Sequence, residues 1–370
     1  MKFTIITHAV HKKKENEWFS YAPYVREMQI WEKYTKELQV VAPISTDEIH
    51  SNELAYRHER LEFIKIKEFN ITSLKNLVKS LFVIPSILIQ IYKSMKWADH
   101  IHLRCPGNIG LLGCFVQILF PSKPKTAKYA GNWDPESKQP FTYKIQKWIL
   151  SNTFLTKNMK VLVYGEWENQ TKNILPFFTA TYHKSEIEEI NSKTLNETVD
   201  LMFVGALSTG KQPILSVKAA HELLKKGHDV VLNMYGEGVE RKKLENYILE
   251  NNLQEKIVLH GNVSSETVKK AFQKSHFLIF ISKSEGWPKV VAEAMFWKCV
   301  PITTKVSCVP FMLGNGSRGS IVSDSLESIV ETVSSYFSNK NKYTEHSENG
   351  ANWSQNYTLE KFETEISKIL

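Results

Sequence analysis

The sequence predicts an α/β protein made of two Rossmann-like domains. Short β-rich runs alternate with longer helix-period stretches along the chain, the pattern of βαβ units around a parallel sheet. A polar stretch, SEIEEINSKTLNET (185–198), nearly free of large apolar residues, divides that alternation in two. At roughly 150 residues per domain, 370 residues also suffice for a core in each half.

In the first half, FTIIT (3–7) and LQVVA (38–42) read as strands with a helical stretch over 23–37 between them. A third strand falls at 61–66, then helix-period residues over 74–95, then strands at 100–103, 126–129 and 160–163. The second half is more regular, with strands at 201–205, 230–236, 257–261, 277–282 and 300–304. Helices over 214–226, 240–250, 267–274 and 289–298 separate them. The expected division is a first domain over 1–190, a second over 198–350, and a single terminal helix over 351–370. Ligands of such folds lie at the carboxyl ends of the strands, so the loops there are the places to search.

Hydrophobic residues at 42% and charged residues at 23%, with 16 Gly and 13 Pro, exclude a disordered or fibrous chain. The longest apolar run, 80–92, contains Pro85 and is shorter than the ~20 residues that span a bilayer. At the N-terminus the charges follow only a very short apolar stretch, which is not the order of a signal peptide. Cys105, Cys114, Cys299 and Cys308 lack C-x-x-C spacing and read as reduced thiols in a cytoplasmic protein, with no metal and no cofactor expected. The net charge of +8 is uneven: residues 51–150 hold 15 Lys and Arg against 7 Asp and Glu, whereas 198–370 hold 20 against 19. Lys75, Lys79, Lys93 and Lys96 flank the apolar stretch 81–92. That arrangement fits either peripheral docking on an anionic membrane or a core helix with solvated lysines.

The stretch ISKSEGWPKVVAEAMFWKCVPITT (281–304) concentrates the chemistry. A buried strand ends, a loop follows, and Pro288 suits the first turn of a helix that is apolar nearly all round except for Glu293. A carboxylate there needs a partner: a ligand hydroxyl pair, or Lys289 four residues earlier. Glu285 lies in the loop before the same helix, whose N-terminus favours a phosphate. Two carboxylates for hydroxyls and a positive helix end for phosphate match a nucleotide-sugar.

Glu285-x7-Glu293, set in S-E-G-W-P-K-V-V-A-E-A-M and followed by the strand at 300–302, resembles the E-x7-E signature of retaining GT-B glycosyltransferases, family 4 in particular. That resemblance implies two domains facing each other across a cleft, with the terminal segment crossing back to the first domain. It implies that Glu285 binds the transferred hexose and Glu293 the ribose, with Gly286, Trp287, Lys289 and Val290 lining the donor site. In VGALSTGK (204–211), Gly205 and Lys211 match the diphosphate-holding loop, but the family's Arg is replaced by Ala206. Gly236 and Gly238, in MYGEG, match the segment beside the donor, and Val263, in HGNV, the residue beside the base. The first half matches less closely: the family's sugar-contacting His is replaced by Ala130, leaving Arg104 and Asn132 as binding candidates, and the first loop offers His8, His11, Tyr24 and Arg26 in place of the family's Gly-Gly.

The expectation is a metal-independent glycosyltransferase, with Lys211 and Glu285 as its catalytic residues and no nucleic acid as partner. The partners implied are a nucleotide-sugar donor and a glycan or polyprenyl-diphosphate-linked acceptor, as in bacterial surface polysaccharide assembly. The alternatives are a non-catalytic nucleotide-sugar-binding protein and a nucleotide-sugar epimerase of the same fold.

Overall fold

The computed structural model describes residues 1–370 except 51, 70–73 and 191–192, and except the side chains of 74–79 and 81. Lys75, Lys79 and Leu81 therefore lie outside the described side chains. Two compact units result, Met1–Phe178 with Phe362–Leu370, and Thr179–Lys361.

The first unit contains β1 (Lys2–Ile6), β2 (Lys12–Lys14), β3 (Glu17–Tyr21), α1 (Ala22–Glu32), β4 (Glu37–Pro43), β5 (Glu53–Ala55) and β6 (Leu61–Ile66). There follow α2 (Leu74–Trp97), β7 (His100–Cys105), α3 (Asn108–Val116), β8 (Lys125–Tyr129), α4 (Phe141–Ser151), β9 (Met159–Tyr164) and β10 (Ile174–Phe177). Seven of these strands form a parallel sheet in the order β10-β9-β8-β7-β1-β4-β6. β2, β3 and β5 make a small antiparallel sheet. Their runs of three to five residues show no apolar alternation, so the sequence does not announce them.

Two faces explain α2. Ile87, Ile91 and Met95, four residues apart, are fully buried, whereas Phe82, Ile89 and Tyr92 point outward. One helix thus satisfies both a core reading and an exposed apolar reading. The basic excess of this half is in part internal. Lys125 Nζ donates to the Phe120 carbonyl at 2.9 Å, Lys128 Nζ to that of Phe178 at 2.9 Å, and Lys147 Nζ to that of Trp133 at 2.8 Å. Lys123 Nζ closes the end of α2 on the carbonyls of Met95, Lys96 and Ala98.

The second unit contains β11 (Val199–Val204), α5 (Pro213–Lys225), β12 (Val230–Tyr235), α6 (Arg241–Glu250), β13 (Ile257–Gly261), α7 (Ser265–Lys274) and β14 (Phe277–Phe280). It continues through α8 (Lys289–Phe296), β15 (Val300–Thr304), α9 (Val309–Met312), β16 (Ser320–Val322), α10 (Leu326–Ser338), α11 (Lys340–Ser354) and the start of α12 (Leu359–Ile369). Its six strands are parallel in the order β13-β12-β11-β14-β15-β16. α8 stops at Phe296, two residues short of expectation, and Lys298 takes a left-handed φ of 56° in the turn that follows.

The boundary lies at Phe178/Thr179, earlier than residue 190. Residues after 178 are held by the second unit: Lys193 Nζ donates to the carbonyls of Phe272, Ser275 and Trp297 at 2.6–2.9 Å. The terminal segment is two helices rather than one, and of it only residues 362–370 belong to the first unit. There Phe362 meets Phe177 and Phe178, with ring centroids 5.4 and 5.7 Å apart.

Candidate functional site

In the second unit the strand order reverses between β11 and β14, the point where open α/β sheets bind ligands. The loops leaving these two strands carry Lys211 and Glu285. Lys211 Nζ donates to Glu285 Oε1 in a tight ion pair. Ser282, fully buried and three residues before Glu285, donates its hydroxyl to the same oxygen at 2.6 Å. The Lys211 ammonium also lies 4.7 Å from the Phe280 ring centroid. Backbone bonds fix the loops to each other, since Lys283 N donates to the Gly210 carbonyl at 2.9 Å, and Thr304 Oγ1 holds the Ser282 carbonyl at 2.5 Å. The result is a rigid, partly open charged pair at the carboxyl end of the sheet. No side chain caps α8, which starts just beyond at Lys289 with Val290 after it.

Gly205, Gly236 and Gly238 sit at the ends of the adjacent strands, where a neighbouring backbone calls for glycine at two of them. Gly236 has φ of +131°, and a Cβ there would strike the Gly205 carbonyl; at Gly238 it would strike that of Leu207. The missing side chains admit a neighbouring backbone, locking the loops by Gly205 N to Tyr235 O, Leu207 N to Glu237 O and Gly236 N to Gly261 O at 2.8–2.9 Å. Val263, after β13, is exposed at the same end, and Ala206 is exposed where the family has Arg.

Glu293 lies on the part of α8 that faces residues 179–182 and Tyr357. It is half-buried, and its carboxylate accepts the Thr181 hydroxyl at 2.7 Å. Desolvation raises its pKa above the usual carboxylate value, opposed by Thr181 and by the Lys289 charge. The partner that the sequence leaves open is thus supplied by Thr181, 112 positions away. Trp287 is buried, with Trp353 and Tyr357 at centroid distances of 6.2 and 5.9 Å, so it anchors the loop in the core instead of facing a ligand. Gly286 offers its carbonyl to the Ser307 hydroxyl at 2.8 Å.

In the first unit, strand order reverses between β1 and β7. Arg104 is not presented to a ligand: its guanidinium grips both oxygens of buried Glu27 at 2.6 and 3.1 Å. Burial disfavours that charge, but the Glu27 carboxylate together with Tyr164 and Tyr24 outweighs it and holds the pKa above its ordinary value. Asn132 is turned to its own loop, accepting the Asp134 amide at 2.9 Å. His11, pushed down to about 4 by burial, bonds the Ala9 carbonyl and Tyr56, and Tyr56 bonds Tyr24. Of these candidates His8 and Arg26 are exposed, and the His8 ring lies against Gly107, where a Cβ would come within 2.7 Å of Nδ1.

Among the described residues, no group of three His, Cys, Asp or Glu is placed to hold a metal ion, and no helix is long and apolar enough to cross a membrane.

Two units, each built on a parallel α/β sheet, are the architecture of the GT-B fold. Residues 185–353, nearly the whole second unit, match the family model described as glycosyl transferases group 1. An uncharacterized glycosyltransferase of Methanocaldococcus jannaschii is 28% identical over 173 residues, 45% of this chain and 46% of that protein. The N-acetylgalactosamine-N,N'-diacetylbacillosaminyl-diphospho-undecaprenol 4-alpha-N-acetylgalactosaminyltransferase of Campylobacter jejuni is 31% identical over 127 residues, 33% of each chain. The chain thus spans less than half the length of these curated relatives. Anabaena HepE, solved with UDP and glucose, superposes with a TM-score of 0.68 at 12% identity, covering 100% of this chain and 98% of that one. At that identity the likeness is one of fold.

Proposed function

We propose that the protein is a retaining glycosyltransferase that moves a sugar from a nucleotide-sugar donor to a glycan or lipid-linked acceptor, in bacterial surface polysaccharide assembly on the cytoplasmic face of an anionic membrane. The observation that carries this reading is the Lys211–Glu285 pair, buttressed by Ser282, within the residues that the family model matches. The UDP and glucose bound by HepE support the donor class, and the diphospho-undecaprenol in the Campylobacter relative's name supports the acceptor class.

The pair supplies a partner exchange. An arriving diphosphate takes the Lys211 ammonium, which releases Glu285 Oε1 to accept a hydroxyl of the transferred sugar. Lys211 and the α8 N-terminus then stabilise charge developing on the leaving diphosphate, the main rate term expected of such a site, with no metal ion required. Glu293 takes the ribose diol in exchange for Thr181, and the acceptor attacks from the face the diphosphate leaves. A thermal-shift panel of UDP- and GDP-sugars tests the binding half, because a ligand at 100-fold its Kd adds about 2.7 kcal/mol. Assay of transfer in EDTA tests the metal-free half. No stabilisation by any member of the panel, or activity that returns only with Mg²⁺, would sink the corresponding half. Ala206 favours one second reading, a protein that binds donor without turnover; donor hydrolysis measured against binding separates the two.

A further inference from the structure

The connections β6-α2-β7, β7-α3-β8 and β8-α4-β9 cross the first sheet in one direction. Right-handed crossovers therefore place α2, α3 and α4 side by side on one face, and α3 touches both of the others. The outer side of this layer is unusual. Phe82, Phe115, Phe141, Trp148 and the adjoining Phe154 are 46–83% exposed, and they are every exposed Phe and Trp among the described residues. The three helices contain no Asp or Glu. Lys93, Lys96, Lys144 and Lys157 are exposed around the aromatics, and Lys157 Nζ lies 5.1 Å from the Phe154 ring centroid.

We infer that this three-helix face docks on an anionic lipid surface, inserting Phe141, Trp148 and Phe154 among the headgroups while the lysines hold acidic lipids. Aromatic rings favour the membrane–water boundary, and an apolar face ringed by cations binds there without spanning. A second copy of this chain is a poor occupant, because lysines would meet lysines with no carboxylate between them. The inference rests on the membrane part of the function proposed above and is independent of the donor chemistry. It moves the contact from the 75–96 lysines to the whole helical layer, with α4 supplying the anchors.

Flotation of the full chain with vesicles of phosphatidylcholine, alone or mixed with phosphatidylglycerol, tests it. The wild type should float with the acidic vesicles at low salt and be released at high salt. The combined Phe141→Ser, Trp148→Ser and Phe154→Ser variant should lose at least about tenfold in binding, with unchanged circular dichroism and unchanged donor hydrolysis. Brominated lipid should quench the wild type more than Trp148→Phe. Equal flotation of the triple variant would overturn the assignment, as would a wild-type dimer that the same substitutions dissociate. Vesicle binding by a protein that hydrolyses no donor would uphold this face while refuting the proposed activity.

Discussion

At its switch point each unit presents different chemistry. Between β11 and β14 a lysine and a glutamate face each other at the open end of the sheet, held by Ser282 and by glycine-cradled loops. Between β1 and β7 the guanidinium of Arg104 is gripped by Glu27, and His11, Tyr24 and Tyr56 bond one another in the interior. The nearly neutral unit keeps its charge where a ligand can reach it. The basic unit uses much of its charge to satisfy carbonyls and Glu27, and carries its outward lysines around exposed aromatics. Charge counted by segment therefore does not locate a binding site; the partner of each cation does.

The largest effect should come from Arg104→Ala in the first unit. Removing one member of a buried pair strands the other charge and costs about 3–5 kcal/mol, read as a fall in Tm with nucleotide diphosphate affinity unchanged. A loss of that affinity in a protein of normal stability would restore Arg104 as a ligand-binding group and erase the contrast between the units. Lys211→Ala should do the reverse, lowering turnover by about 10²–10³ and weakening UDP or GDP binding at nearly constant Tm. Unchanged affinity would move the diphosphate elsewhere.

Glu32 sharpens the comparison through pH. Burial raises its pKa from 4.5 to about 7, and its Oε1 has no hydrogen-bond partner. A folded pKa above the unfolded one means that the wild type loses stability as pH rises between those values, because the buried acid must ionise. Glu32→Gln should thus be neutral below pH 4.5 and stabilising above pH 7, by at most about 3 kcal/mol. A constant difference across that range would show that Glu32 ionises freely. The smallest stability effect belongs to Glu293→Gln, which keeps an acceptor for Thr181. Its Tm should match the wild type in acid and exceed it slightly at neutral pH, while nucleotide diphosphate affinity falls. Unchanged affinity by calorimetry would remove Glu293 from the ribose.

The second unit was largely legible in the sequence because its strands are short apolar runs bounded by loops whose candidate residues lie next to strand ends. Lys211 and Glu285, 74 positions apart, meet because β11 and β14 are neighbours, a non-consecutive pairing that the strand–helix alternation does not specify. Thr181 and Trp287 were not legible in their roles. The first has no local pattern, and the burial of the second depends on Trp353 and Tyr357 in later helices. Arg104 misled because nothing near it in sequence reveals Glu27, 77 positions away. α3, NIGLLGCFV, is mostly buried and apolar almost throughout, so it has no polar face to mark a helical period. α10 did carry a readable signal, an apolar period after Ser325, whose hydroxyl caps it.

The central claim is that Glu285 serves the transferred sugar while Lys211 serves the diphosphate. Glu285→Ala measured twice, by calorimetry with UDP and GDP and by turnover of the sugar nucleotide that stabilises the wild type most, tests it most directly. The account predicts nearly unchanged diphosphate affinity with turnover reduced by about 10² or more. Equal losses in both quantities, or full turnover, would contradict it.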